Sequence, residues 1–328
     1  MGTRPLMDTS WTGSSVAVLP DVESLSVAAA AAIVAEARRA LKRTGRFTIA
    51  LCGGATPKPI YELLAKPPFA GLVPWEATHV FWGDERCVEV TDPRSNERMA
   101  RLALLDHVPI PAGQVYPMRC AGREGSGAAG MAHGESPARR VADDYERLLR
   151  AFFGAGAGGD ARGGVEAGPG GGLGPAPAAG AATGDGPGAV PTADAVTGGG
   201  IDLVLLGIGD NGHTASLFPG SEVLGEQERW AAAAYEDPAT AAATSGSGKR
   251  LWRVTMTAPF INRAALALFV VSGASKAAVV KEAIEGHPDP RDLPARLIRP
   301  VNGRLWWLLD EEAASRLEGD ALQLRPLR

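Results

Sequence analysis

The chain has 328 residues, a formal net charge of −4, 21% charged residues and 45% apolar residues. That length holds one large or two ordinary domains, the mild acidity argues against a basic nucleic-acid surface, and no apolar run approaches the roughly 20 residues needed to span a bilayer. The opening MGTRPLMDTSWTGSS lacks the apolar core of a signal peptide, and the three cysteines (Cys52, Cys87, Cys120) show an odd count and no metal-ligand spacing, so reduced cytoplasmic thiols are expected.

In chain order, a flexible leader over 1–15 precedes VAVLP (16–20), a short strand. Asp21 then caps an Ala-rich helix to about Arg43, acidic at its start and basic at its end, as the helix dipole prefers. FTIALC (47–52) predicts a buried strand running into Gly53-Gly54, and Thr56-Pro57 opens the next helix. THVFWGDE (78–85) predicts another strand, and 96–106 and 137–153 predict helices. Residues 154–200 then hold 18 of the 42 glycines and 12 alanines, with no aromatic residue and no sustained period. Average usage would place about 23 glycines in the whole chain. Such a segment cannot bury enough apolar surface to offset its backbone entropy, so it predicts a disordered insertion. Residues 121–137 and 236–249 predict loops. IDLVLLGIG (201–209), LWRVTMT (251–257), ALALFVVSG (265–273) and RLWWLLD (304–310) predict further strands, with a helix over about 275–285 and a terminal helix. Strands alternating with helices predict a single α/β domain over 1–328, an open, doubly wound, mostly parallel sheet with helices on both faces. Trp306-Trp307 is assigned to core packing.

Four motifs fall at strand ends, where such sheets bind ligands. Cys52-Gly53-Gly54-Ala55-Thr56-Pro57 is either a tight turn or a phosphate site, because glycines let backbone N–H groups approach an anion at a helix start. In Gly83-Asp84-Glu85-Arg86, followed by Ser95-Asn96, the forked guanidinium suits a phosphate or an oxyanion, with Asp84 and Glu85 to orient it; a solvated loop salt bridge is the alternative. Leu206 to Pro219 (LGIGDNGHTASLFP) sets His213 in a glycine-rich turn after a buried strand, where it can serve as a general base. No GxSxG elbow or paired histidine occurs, so acyl-serine chemistry and a metal are not indicated. His79, His107, His133 and His287 are assigned structural or solvent roles. In Ser272-Gly273-Ala274-Ser275-Lys276-Ala277 a lysine opens a helix, which the dipole disfavours unless an anion is bound. Together these describe an enzyme acting on a phosphorylated small molecule.

CGGATP, FWGDER with SN, LGIGDNGHTASLFPGS, RVTMTAPFIN, VVSGASKA and LPARLIRPVNGRLWWLLD stand in this order over about 16–318. The set resembles the glucosamine-6-phosphate isomerase/6-phosphogluconolactonase family, on its lactonase side. The resemblance implies a fold of the glucosamine-6-phosphate deaminase/ribose-phosphate isomerase type. It implies hydrolysis of 6-phospho-D-glucono-1,5-lactone to 6-phosphogluconate, in the pentose phosphate pathway, with no metal and no cofactor. By motif matching, His213 takes the place of the general base, Arg86 and Lys276 line the substrate site, and Gly53, Gly54 and Thr56 form the phosphate-side loop. Asp84, Ser95, Asn96 and Gly212 fall in the same motifs, and Arg253 in RVTMT is a further candidate. The family often has Asp-Gly-His where this chain has Asn211-Gly212-His213. Either Asp210, one residue earlier, supplies the missing charge, or the site needs only orientation from Asn211. The expected partner is a small sugar-phosphate lactone, with no nucleic acid or membrane, for a cytoplasmic monomer or weak homodimer. A sugar-phosphate isomerase or deaminase on the same fold, and a non-catalytic sugar-phosphate sensor, are the alternatives.

Overall fold

A computed structural model of the chain describes residues 14–120, 136–154, 199–235 and 251–318. Strand β1 (Ser14–Leu19) leads to helix α1 (Val22–Thr44), which starts at Asp21 and ends at Gly45. Asp21 is extended, and its carboxylate accepts from the Ser24 N–H at 2.7 Å. Gly45, at φ 74°, supplies the left-handed residue that closes the helix. The alanines of α1 serve close approach: Ala28, Ala29, Ala32, Ala37 and Ala40 are buried where the helix crosses the sheet. Strand β2 (Phe47–Leu51), helix α2 (Pro57–Leu64) and strand β3 (Thr78–Trp82) follow.

Here the structure departs from the expectation of one strand over 78–85. The chain breaks at Gly83, and Asp84–Arg86 form a separate strand, β4, in a different sheet. Helices α3 (Asn96–Ala103) and α4 (Pro137–Phe153) and the short strand β5 (Leu203–Leu206) come next. Strand β6 (Ala231–Tyr235), which the apolar pattern did not predict, pairs antiparallel with β7 (Trp252–Met256), and β7 pairs antiparallel with β4. LWRVTMT therefore belongs to a second, three-stranded sheet rather than to the parallel series. The chain ends its described part with α5 (Ala258–Ile261), β8 (Leu266–Val271), α6 (Ala277–Ile284), β9 (Arg304–Asp310) and α7 (Glu311–Ala314).

The main sheet is parallel throughout, in the order β1-β9-β8-β5-β2-β3. From β1 the chain advances to β2 and β3; from β5 it returns through β8 to β9. With right-handed crossovers this reversal puts α1 and α2 on one face and α4 to α6 on the other, a doubly wound sheet. Core strands are buried along their length, as parallel strands covered on both faces must be. Trp307 stacks on Phe269, ring centroids 3.9 Å apart, so this part of the Trp pair is core. On the α4 side, Phe81 of β3 packs against Tyr116, Phe152 and Phe153.

One strand boundary and one cysteine pairing also differ from expectation. Ser14 and Ser15, expected in the leader, pair with Leu305 and Trp306. Cys87 and Cys120, expected as free thiols, form a disulfide with Cα atoms 4.9 Å apart, because the stretch after α3, which bridges to β3 at Val115, returns beside the residue that follows β4; Cys52 is free and buried. Most of the 154–200 insertion and the 121–137 and 236–249 loops lie outside the described residues. Among the described residues no helix is long and apolar enough to cross a membrane.

Candidate active site

The chain leaves β2 toward β3 and leaves β5 toward β8, in opposite directions. The carboxyl ends of β2 and β5 therefore border the crevice where such sheets bind ligands. Gly53-Gly54 stands at one lip and the Gly207–His213 turn at the other.

That turn is built around the imidazole. Gly209 N–H donates to His213 O and Gly212 N–H to Gly209 O, both at 2.9 Å. A Cβ on Gly209 would run into the His213 ring, and Gly212, at φ 80°, lies against Leu293. Both positions therefore need glycine. Two residues after His213, Ala215 holds φ 47°, a strained value for a residue with a side chain. Asn211 Oδ1 accepts from the His213 backbone N–H at 3.2 Å and lies 2.6 Å from its Nδ1. The backbone donor fixes which amide atom faces the histidine. Nδ1 must then carry the proton, and Nε2 the lone pair. Asn211 rather than Asp210 thus orients the ring. Asp210 is exposed and pairs instead with Lys276 Nζ at 2.5 Å.

The second sheet brings in the cations. Arg86 and Arg253 face one another across the β4–β7 pair. Like charges opposite one another repel, and here Asp84, 4.0 Å from Arg253 Nη1, offsets part of that. Arg253 is only 5% exposed. Its Cζ lies 5.6 Å from the centre of the Phe218 ring, and the same ring lies 4.9 Å from the His213 ring. Asp84 is itself held: Ser216 Oγ donates to Oδ2 at 2.6 Å and Asn96 Nδ2 to Oδ1 at 3.1 Å. The Asn96 amide occupies the space a Cβ on Gly53 would take, which ties the glycine turn to GDER. Arg86 Nη1 donates to Arg94 O at 2.6 Å.

Glu85 points the other way and organises α3. Its carboxylate accepts from the N–H groups of Arg86, Asn96 and Glu97 and from Ser95 Oγ. Burial pushes it up to about 7, against the pull of those donors. Ser95 also caps α3 by accepting from Arg98 N–H at 3.1 Å. Cys52, beside the glycine turn, is pushed up to about 12, first by burial and then by the Asp84 charge, so it stays a neutral thiol.

The last motif closes the crevice from β8. Gly273, at φ 96°, donates its N–H to both Asp310 carboxylate oxygens at 3.0 Å. Lys276 sits in the tight turn that precedes α6. Ser272 Oγ and Thr56 Oγ1 are 3.1 Å apart, so the β2 and β8 turns meet. Every predicted site residue therefore belongs to one connected set around this end of the sheet, with Ser95 and Asn96 spent on internal bonds. Ser216, Phe218 and Ser272 were not singled out, although they lie inside the matched motifs. Thr255, whose Oγ1 accepts from Ser216 N–H at 3.2 Å, Leu293 and Asp310 also lie inside the matched motifs and were likewise not singled out, since contacts between distant chain segments bring them to the site. Among the described residues no group of three or more His, Cys, Asp or Glu is placed to hold a metal.

The sequence pattern described as glucosamine-6-phosphate isomerases/6-phosphogluconolactonase matches residues 20–307. A 6-phosphogluconolactonase of Synechocystis sp. is 37% identical over 302 residues, 92% of this chain and 98% of that one. The solved 6-phosphogluconolactonase of Trypanosoma cruzi is 27% identical, with a TM-score of 0.67 over 93% of this chain and 97% of that one. A solved glucosamine-6-phosphate deaminase described as monomeric, 19% identical, has the same fold, with a TM-score of 0.61 over 92% of this chain and 99% of that one. The chain belongs to the family of glucosamine-6-phosphate isomerases and 6-phosphogluconolactonases.

Proposed function

We propose that this chain hydrolyses 6-phospho-D-glucono-1,5-lactone to 6-phosphogluconate. The observation that carries the proposal is His213, with Nδ1 turned to Asn211, its ring beside the Phe218 ring that Arg253 also faces, three residues after the Asp210 that pairs with Lys276. The phosphate is taken by Lys276 with the Gly53-Gly54 and Gly273 turns, and this remote contact fixes the lactone ring. His213 Nε2 accepts a proton from a water whose oxygen forms the new bond to C1. The carbonyl oxygen becomes an oxyanion, stabilised by Arg253, which shares the Phe218 ring with His213, and by Arg86 opposite it. The bond from C1 to the ring oxygen then breaks, and the imidazolium returns its proton to that oxygen. The acid product loses its own proton to solvent. Asn211 orients the imidazolium without adding charge; a base of this kind contributes on the order of 10² to 10⁴-fold.

The setting we propose is a cytoplasmic monomer or weak homodimer acting on a free small molecule. There the Cys87–Cys120 bond is exposed to a reducing pool. The test of reaction class is a comparison on the wild-type chain. Freshly made lactone, with spontaneous hydrolysis subtracted, is expected to turn over, and glucosamine 6-phosphate is not. Release of ammonia from the amino sugar phosphate would favour the deaminase alternative, and tight 6-phosphogluconate binding without lactone turnover would favour a sensor.

A further inference from the structure

The amino ends of β2, β5, β8 and β9 form a second basin, at the edge of the sheet opposite His213. It is a cavity of about 440 Å³ whose walls include Arg43, Thr44, Arg46, Asp202, Arg263 and Asn302. Core strands of about five residues, at roughly 3.3 Å per residue, keep it some 15–20 Å from the catalytic crevice.

Three guanidinium groups meet one carboxylate here. Asp202 is already satisfied: Oδ2 accepts from Thr48 N–H at 2.7 Å and from Thr48 Oγ1 at 2.6 Å, and Oδ1 pairs with Arg43. Its charge is therefore matched once, and three arginines against one carboxylate leave a formal excess of +2. Arg46 is the informative member. Its Cζ lies 4.6 Å from the centre of the Phe152 ring, and among the described residues it donates no hydrogen bond and forms no ion pair. Burial lowers its pKa, with Asp202 opposing, so part of its hydration has been given up without a direct partner. Arg263 is held similarly, 4.8 Å over Trp230, with Nε donating to Gly199 O. Guanidinium groups stacked on rings are held in place in advance, and their planar forks match the oxygens of a phosphate.

We propose that this basin binds a small dianion of the phosphomonoester class, at a site separate from the catalytic crevice. The excess of +2 matches a phosphate dianion, and the volume admits a phosphate with a short polyol. The inference stands whether or not the chain is a lactonase.

The test is titration of the full-length chain with glycerol 3-phosphate, followed by ³¹P line broadening, in wild type, Lys276→Ala, Arg46→Ala and Arg46→Lys. Wild type is expected to show two binding events per chain. Lys276→Ala should keep the basin event and lose the other. Arg46→Ala should weaken the basin event about tenfold, the loss expected for a charge-assisted hydrogen bond. Arg46→Lys, which keeps the stem and charge but not the fork, guards against misfolding and should weaken it as well. A single event that disappears in Lys276→Ala, or a second event indifferent to both Arg46 substitutions, would overturn the proposal. Lactone turnover should be unchanged in Arg46→Ala, so a failed lactonase assay and a failed basin are separate results.

Discussion

The sharpest local statement concerns Asn211. Where family members often carry a carboxylate, this chain holds His213 Nδ1 with a neutral amide oxygen at 2.6 Å. A carboxylate within this distance favours the imidazolium, by about one pK unit or more. In Asn211→Asp the acid limb of the kcat/KM profile should therefore move to higher pH, because the base is protonated until a higher pH is reached. An unmoved limb would mean that His213 is not the titrating base. The placement of His213 in a glycine turn after a buried strand was legible from LGIGDNGHTASLFP, because the apolar run and the glycines mark both elements. Its partner was not legible: Asp210 and Asn211 are adjacent, and only the turn geometry sends one to His213 and the other to Lys276.

Strand β3 shows what happens between residues and fold. Its alternation sends His79 and Phe81 to the α4 side, where His79 stacks on Tyr116 with ring centroids 6.0 Å apart and meets Phe152 edge-on at 5.1 Å. Burial, with Arg46 nearby, lowers His79 from its ordinary 6.5 to about 4. Between those values the unfolded chain binds more protons than the folded one. Stability therefore rises with pH across the window and is lost as pH falls from 6.5 toward 4. The melting temperature of wild type should fall more steeply over that range than that of His79→Phe; parallel slopes would contradict the assignment. The run 78–85 also shows where pattern reading stops. Its apolar residues predict a strand correctly, yet nothing in them reveals that the chain changes sheets at Gly83. That change is what places Arg86 opposite Arg253. The same blindness missed β6, whose AAAAY lacks the β-branched residues that mark strands, and the Cys87–Cys120 pair, separated by 33 positions.

At the scale of the whole molecule, the parallel sheet was legible because long apolar runs ending in glycine repeat along the chain, and its strand order was not, because order depends on crossovers between distant segments. The order matters most for function, since the reversal between β2 and β5 opens the crevice. The described residues that flank the glycine-rich insertion lie away from it. A Cβ on Gly199 would lie 3.7 Å from Phe153 O, so the described residues on either side of 155–198 stand side by side near the amino ends of the strands. Replacing 155–198 with a short Gly-Ser linker should therefore leave lactone turnover within about twofold and the melting temperature within a few degrees, as a surface-loop change does. A lost fold would show that the segment is structural. The most direct test of the central claim is lactone hydrolysis by wild type and His213→Ala, on fresh substrate with spontaneous hydrolysis subtracted. The account predicts clear acceleration by wild type and a loss of about 10² to 10⁴-fold in the folded variant; near wild-type turnover by His213→Ala would contradict it.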